Sequence, residues 1–227
     1  MSKTSLLESV RNLDLNSSKA LLEQQPSLLS VTDRQGRNLL HLACSASCKE
    51  LHVSEAASAR LVNFLLDLGL DGDTTLSASH PNMNAVWFAV ARGRNATLVK
   101  LLVKRGATPR GLFAAGWHED LKLLELLIAL GAPLDESDGD ETPFLHCWKN
   151  QRFSSAKLLV KRGANVNFQD SKGKTALHYG IEKEFEPALL KFLVRNGASA
   201  ELEDRDEVSP RARAARKRDP RFLDALA

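Results

Sequence analysis

Apolar residues recur along this chain at the three- and four-residue spacing of one helical face, in short blocks that end on glycine. The segments LVKLLVKRGA (residues 98–107), AKLLVKRGA (156–164) and ALLKFLVRNGA (188–198) are three such blocks, and their spacing predicts amphipathic helices. A fourth, LKLLELLIAL (121–130), carries leucine around most of its circumference. That suits a helix covered on two sides rather than one with a single wet face. Each block follows a shorter apolar stretch, as in LLHLAC, AVWFAV, LFAAGW, PFLHCW and TALHYG, so the elements come in helical pairs. The closing glycines Gly69, Gly106, Gly131, Gly163 and Gly197 stand 37, 25, 32 and 34 residues apart. Glycine suits these stops because it reaches the left-handed conformation without a Cβ penalty.

The starts of the pairs have their own signals. Thr142-Pro143 and Ser209-Pro210 each put a hydroxyl cap before a proline, whose missing N–H and fixed φ suit a first helical turn. Residues Thr4 to Leu15 and Ser18 to Gln25 carry two short amphipathic patterns, the second stopped by Pro26. Asn165 to Gly173 (NVNFQDSKG) reads as a β-hairpin joining one helical pair to the next. Two places depart from the pattern. Between Leu42 and Leu61 the first pair carries extra residues, CSASCKELHVSEAASA, which either lengthen both helices or form a protruding loop. Between Gly106 and Gly111 there is no room for a hairpin, whereas the 14 residues from Leu70 to Met83 give a long one.

The period, near 33 residues, together with NLLHLA, TPFLHC, KTALHYG and the repeated Gly-Ala closures, resembles the ankyrin-repeat family over nearly the whole chain. The resemblance implies an all-α solenoid of helical pairs with short β-hairpin fingers, about six repeats counting degenerate ends. Its expected divisions are cap helices at 1–31, a repeat at 32–73 with an insertion at 44–58, then repeats at 74–108, 109–135 (lacking its finger), 136–168 and 169–201, and a cap at 202–227. Arg211 and Arg213 stand where inner repeats are apolar, as a capping repeat with a polar outer face would have them. Phe222, Leu223 and Leu226 are expected to cover the end of the core.

Composition adds constraints. Hydrophobic residues make 43% and charged residues 26% of the 227 positions, the proportions of a soluble protein. The net charge of +3 is too small to argue by itself for nucleic acid or a membrane. No apolar run approaches the ~20 residues of a membrane span, and MSKTSLLESVRNLDLN lacks the apolar core of a signal peptide. Three cysteines without disulfide-like spacing suit a reducing compartment. A cytoplasmic, monomeric protein is expected.

Candidate chemistry is sparse. His41, Cys44, Cys48 and His52 form H-x2-C-x3-C-x3-H, yet one helix seldom supplies all the ligands of a tetrahedral ion. In the family, a histidine at the place of His41 and His178 bonds the backbone of a neighbouring finger; Trp87 holds that place in the second repeat and His146 is shifted by one. Cys147 and His146 point about 100° apart on a helix and make a poor nucleophile pair. No phosphate loop, nucleophile elbow or zincin motif occurs in the sequence. We expect no enzyme activity, cofactor, metal or small-molecule substrate. The seven Arg and Lys residues from Arg205 to Arg221 lie beside Glu201, Glu203, Asp204, Asp206 and Glu207, which reads as a solvated, mixed-charge cap rather than a nucleic-acid reader.

The resemblance implies a protein partner of unknown identity on the concave face. Finger positions are Arg34, Gln35 and Arg37, then Asp138, Asp140 and Glu141, then Ser171, Lys172 and Lys174. Exposed first-helix positions are Ala91 and Arg92, Trp117 and His118, Lys149 and Asn150, and Glu182 and Lys183. The fingers alternate basic, acidic, basic, a pattern that would steer and register a complementary partner. Trp117 either stands exposed as an anchor or folds sideways into the space of the missing finger, while Trp148 is expected to pack between helices. Two roles fit such a chain: a stoichiometric inhibitor, such as an antitoxin or immunity protein guarding a bacterial cell against a toxin or enzyme, or an adaptor with two separable surfaces.

Overall fold

A computed structural model describes residues 2–77, 80–137 and 139–227. Among them are fourteen α-helices. The first six are α1 (Lys3–Arg11), α2 (Leu15–Gln24), α3 (Leu39–Ser45), α4 (Glu55–Asp67), α5 (Ala85–Phe88) and α6 (Ala96–Lys104). Next come α7 (Leu112–Trp117), α8 (Leu121–Ala129), α9 (Pro143–Lys149) and α10 (Phe153–Lys161). The last four are α11 (Ala176–Glu182), α12 (Pro187–Arg195), α13 (Pro210–Ala215) and α14 (Arg221–Asp224). A 3₁₀ turn follows α2 at Pro26–Ser30, and a π-helical turn extends α5 over Ala89–Gly93. The chain falls into two compact units, residues 1–115 with 122–132 and residues 116–121 with 133–227.

Both units are built by nearest-neighbour stacking. In the first, α1 packs on α2 and α3, α3 on α4 and α5, and α4 on α6. In the second, α9 packs on α10 and α11, α11 on α12 and α13, and α13 on α14. A first helix thus touches its own second helix and the first helix of the next pair. The cores follow from this: Leu39, Leu40, Leu61, Leu65, Leu98 and Leu102 are fully buried in the first unit, and Leu145, Trp148, Leu159, Leu190 and Leu193 in the second.

The Gly-Ala closures form one device used repeatedly. Gly69, Gly106, Gly131, Gly163 and Gly197 all have φ between +88° and +97°, and a Cβ at any of them would meet nothing within 4 Å. Glycine is therefore required by the backbone angle, not by crowding. After all five glycines the next N–H reaches back to a carbonyl five residues earlier: Leu70 to Leu65 at 3.2 Å, and, where alanine follows, Ala107 to Leu102, Ala132 to Leu127, Ala164 to Leu159 and Ala198 to Leu193, each at 3.0 Å. This is the Schellman closure. The donor is alanine because it ends up 5–7% exposed, where a larger side chain would have to be buried.

The joining fingers differ from the expected β-hairpins. Among the described residues there is no β-strand, only an isolated bridge between Ser77 and His80. An aspartate does locally what a ladder would do. Asp33 Oδ1 accepts the N–H groups of Gln35 and Arg37, Asp170 Oδ1 those of Lys172 and Lys174, and Asp204 Oδ1 those of Asp206 and Val208. Loops only five residues long, closed from inside, leave no length for paired strands.

Other boundaries also moved. The second helix starts at Leu15 rather than near Ser18, because Asp14 caps it by accepting the N–H of Ser17 at 3.0 Å, and the preceding Leu13 takes a left-handed φ of +56°. The insertion after α3 does half of each thing envisaged. Residues 46–54 make a loop, and α4 runs 13 residues where α6, α8, α10 and α12 run 9. Gly93, at the end of the π turn, lies so close to the Cys44 carbonyl that a side chain there would collide with it.

Candidate functional site

The ties that hold successive pairs in register come first, because they decide which polar residues are spent on structure. His41 Nδ1 accepts the Asn38 N–H, so its other nitrogen carries the proton and Nε2 donates to the Thr74 carbonyl at 2.8 Å. His178 repeats this, with Nδ1 accepting the Thr175 N–H at 3.0 Å and Nε2 donating to the Val208 carbonyl at 2.9 Å. Burial holds both imidazoles below the usual histidine range, against the opposing pull of those carbonyls. The second pair makes its tie with Asn84, whose amide donates to the Thr108 carbonyl at 2.9 Å and to Asp73 at 2.8 Å. The fourth makes it with Trp148, fully buried, whose indole N–H donates to the Ala176 carbonyl at 2.7 Å. His146, shifted by one, turns instead toward Glu141, with Nδ1 at 2.7 Å from its carboxylate.

The H-x2-C-x3-C-x3-H segment does not converge. Helix α3 ends at Ser45, so its face does not continue to Cys48 and His52. His41 is engaged with Thr74, Cys44 is fully buried with its thiol pushed up by burial, and Cys48 accepts the Asn95 amide at 3.4 Å. Among the described residues no three His, Cys, Asp or Glu side chains are grouped to hold a metal. Burial, first of all, pushes the Cys147 thiol up to about 12, far from the thiolate a nucleophile needs.

In the second unit a chain of ion pairs and ring contacts runs across the first helices and fingers. Glu141 receives His146 and Lys149. Lys149 Nζ lies 4.6 Å from the centre of the Tyr179 ring, and the Tyr179 hydroxyl donates to Asp170. Glu182 takes Lys174 at 2.6 Å and Arg213 at 2.7 Å, and Arg213 also reaches Asp204 at 2.5 Å. Asp140 accepts both the N–H and the hydroxyl of Ser171. The basic segment is tied in the same way: Lys217 pairs with Glu184, Arg221 with Asp219, and Arg211 with Glu201. Most of the charges on these elements are thus paired within the fold.

Trp117 lies at the edge of that network, beside His146. It ends α7 with 43% of its surface exposed. The Arg152 guanidinium carbon lies 4.8 Å from its ring centre and the His146 ring centre 5.8 Å from it. Arg152 Nε is buried with no hydrogen-bond partner among the described residues. The turn after α7 is fixed by Glu119, which has a φ of +49° and whose carboxylate accepts the Ser154 N–H at 3.1 Å. Trp117 therefore remains on the surface, propped from one side by an arginine.

The other sequence-assigned positions fall into two groups. Arg34, Gln35, Arg92, His118, Asn150 and Lys172 are exposed. Arg37, Asp140, Glu141, Lys149, Lys174 and Glu182 are engaged within the fold by the bonds just given, Arg37 through a 2.7 Å pair with Asp33. Asp138 lies outside the described residues. Sequence reasoning missed Arg152 and Tyr179; each acts through a ring or hydroxyl contact that its place in the repeat does not signal.

Comparison with known proteins places these features. The ankyrin-repeat family matches residues 111–206 in three copies. The chain is 28% identical over 195 residues to the B-cell lymphoma 3 protein homolog of Mus musculus and 29% identical over 202 residues to the nuclear factor NF-kappa-B p105 subunit of Gallus gallus. Those alignments cover 86% and 85% of this chain but only 35% and 20% of the two relatives, so the chain spans about a third or less of their length. The solved ankyrin repeat domain of Bcl-3, described as a unique member of the IkappaB protein family, superposes with a TM-score of 0.76 at 24% identity, covering 98% of this chain and 97% of that one. The solved human ASB11 ankyrin repeat domain gives 0.69 at 20% identity, covering 97% and 95%. Helical pairs, Gly-Ala closures, histidine ties and these likenesses agree on an ankyrin-repeat fold, with the family's own repeats matched over residues 111–206.

Proposed function

We propose that this chain is a non-enzymatic, cytoplasmic binder of a partner protein, and that it engages the partner through its finger loops and the exposed ends of its first helices. The observation that carries this reading is Trp117. Of three tryptophans, Trp148 is fully buried and Trp87 partly so, whereas Trp117 presents 43% of its surface to solvent beside a guanidinium. Exposed aromatic surface next to arginine is the composition of interface hot spots. His118 and Asn150 in the second unit and Lys172 on a finger are exposed and able to make polar contacts with a partner; Arg34, Gln35 and Arg92 offer the same in the first unit. Asp140, Glu141, Lys149, Lys174 and Glu182 support the reading differently. Their bonds within the fold, Asp140 with Ser171, Glu141 with Lys149 and Lys174 with Glu182, fix the surface in advance and lower the ordering cost on binding.

The fold itself supports only the general role, since ankyrin repeats serve many partners. Among the described residues no helix is long and apolar enough to cross a membrane. The test is capture from lysate of the source cell by the immobilised chain and by its Trp117→Ala variant. Loss of a stoichiometric partner with the tryptophan would support the reading. Equal capture by both would move the site elsewhere.

A further inference from the structure

A cleft of about 490 Å³ lies within the first unit, between the start of α1 and the first finger. Its wall carries Lys3, Arg11, Arg34 and Arg37, with Asp33 as the lone carboxylate and Leu7 as the apolar floor. Asp33 is already saturated. One oxygen accepts the Gln35 and Arg37 N–H groups, and the other takes Arg11 at 3.0 Å and Arg37 at 2.7 Å. Although burial opposes ionisation, those Arg37 and backbone bonds hold the carboxyl down to about 2. Two guanidinium groups therefore share one negative charge, and Lys3 and Arg34, both exposed, have no ion-pair partner among the described residues. The Arg11 side chain keeps 44% of its surface open.

We infer that this cleft is a docking site for an acidic segment of a partner protein. The finger aspartate gathers two arginines that would otherwise repel one another, and it leaves a surplus of cationic donors facing open space. Guanidinium forks match carboxylates in pairs, and the exposed surplus would speed encounter with a negatively charged chain. The other two fingers of this type do not gather two arginines on one carboxylate, since Asp170 meets the Tyr179 hydroxyl and Asp204 a single arginine that Glu182 shares. The inference rests on the chain being a protein binder, but it concerns a surface and a chemistry distinct from Trp117.

The experiment is titration of the full chain with an oligoglutamate peptide, read by the methyl resonances of Leu7 and by fluorescence anisotropy of the labelled peptide. Saturable binding that shifts Leu7, weakens with added salt, and falls at least about tenfold in a Lys3→Glu, Arg34→Glu variant is expected. Both residues are exposed and unpaired, so the variant should keep its fold, which its circular dichroism and melting would verify. Arg94→Glu, on the same unit but away from the cleft, serves as the charge control. No Leu7 shift, an effect of Arg94→Glu equal to that of the double variant, or equal displacement by millimolar inorganic phosphate would each overturn the inference. Failure here would leave partner capture through Trp117 untouched, and loss of Trp117-dependent capture would leave the peptide result standing.

Discussion

Trp148 and Trp117 lie in the same unit and have opposite environments. The first is enclosed by Phe144, Phe153 and Phe185, with ring centres 5.5 to 6.1 Å away, and its N–H is satisfied by the Ala176 carbonyl. The second keeps an open face, and its indole N–H has no protein partner among the described residues. The difference separates what holds the repeats together from what they offer to others. A tryptophan that satisfies every atom inside the fold is explained by the fold; one that leaves large apolar surface in water is not.

That contrast can be broken from the structural side first. Trp148→Ala should cost about 3–5 kcal/mol in urea denaturation, through the cavity and the orphaned Ala176 carbonyl together. Trp148→Phe, which keeps most of the packing and loses the donor, should cost about 1–3 kcal/mol. Equal losses for the two variants would show that the hydrogen bond, not ring volume, carries the tie. A smaller structural effect is expected at a helix closure. Gly163 sits at φ +97° with open space around it, so Gly163→Ala should cost about 1–2 kcal/mol from backbone strain alone, measured the same way.

Acid sharpens the comparison at the other ties. Burial keeps the pKa values of His41 and His178 below their ordinary value, so the unfolded chain takes up protons first as pH falls past about 6.5. Their contribution to stability is complete above that pH and is lost progressively as pH drops toward the folded values. Urea midpoints measured on either side should decline with acid in the natural chain, and decline less in a His41→Gln, His178→Gln variant. The Trp148 tie carries no titrating group and should not add to the slope.

How much of this was legible in the chain depends on whether the signal is local. The Gly-Ala closures were readable because a left-handed glycine and a small buried donor are fixed by three or four adjacent residues. The His41 and His178 ties were readable through the family resemblance. The replacement of that histidine by the Trp148 indole was not, since its acceptor lies 28 residues away and only packing brings them together. The fingers were given strands they lack, because Asp33, Asp170 and Asp204 close the loops with their own carboxylates. The surface list was the least legible part. Whether Arg37, Lys149 or Glu182 faces a partner or a neighbouring carboxylate or ammonium depends on side-chain reach across repeats, which linear spacing does not encode.

The smallest expected change in stability belongs to Trp117→Ala: under about 1 kcal/mol, mainly the lost cation–π contact with Arg152. Its effect on binding should be the largest, and that asymmetry is the central claim. The direct test is to measure the variant's melting alongside its capture of partner protein, quantified by mass spectrometry against the natural chain. The account predicts a near-native melt with partner capture reduced at least tenfold, about 1.4 kcal/mol. A variant that melts normally and retains the same partners in the same amounts would contradict it.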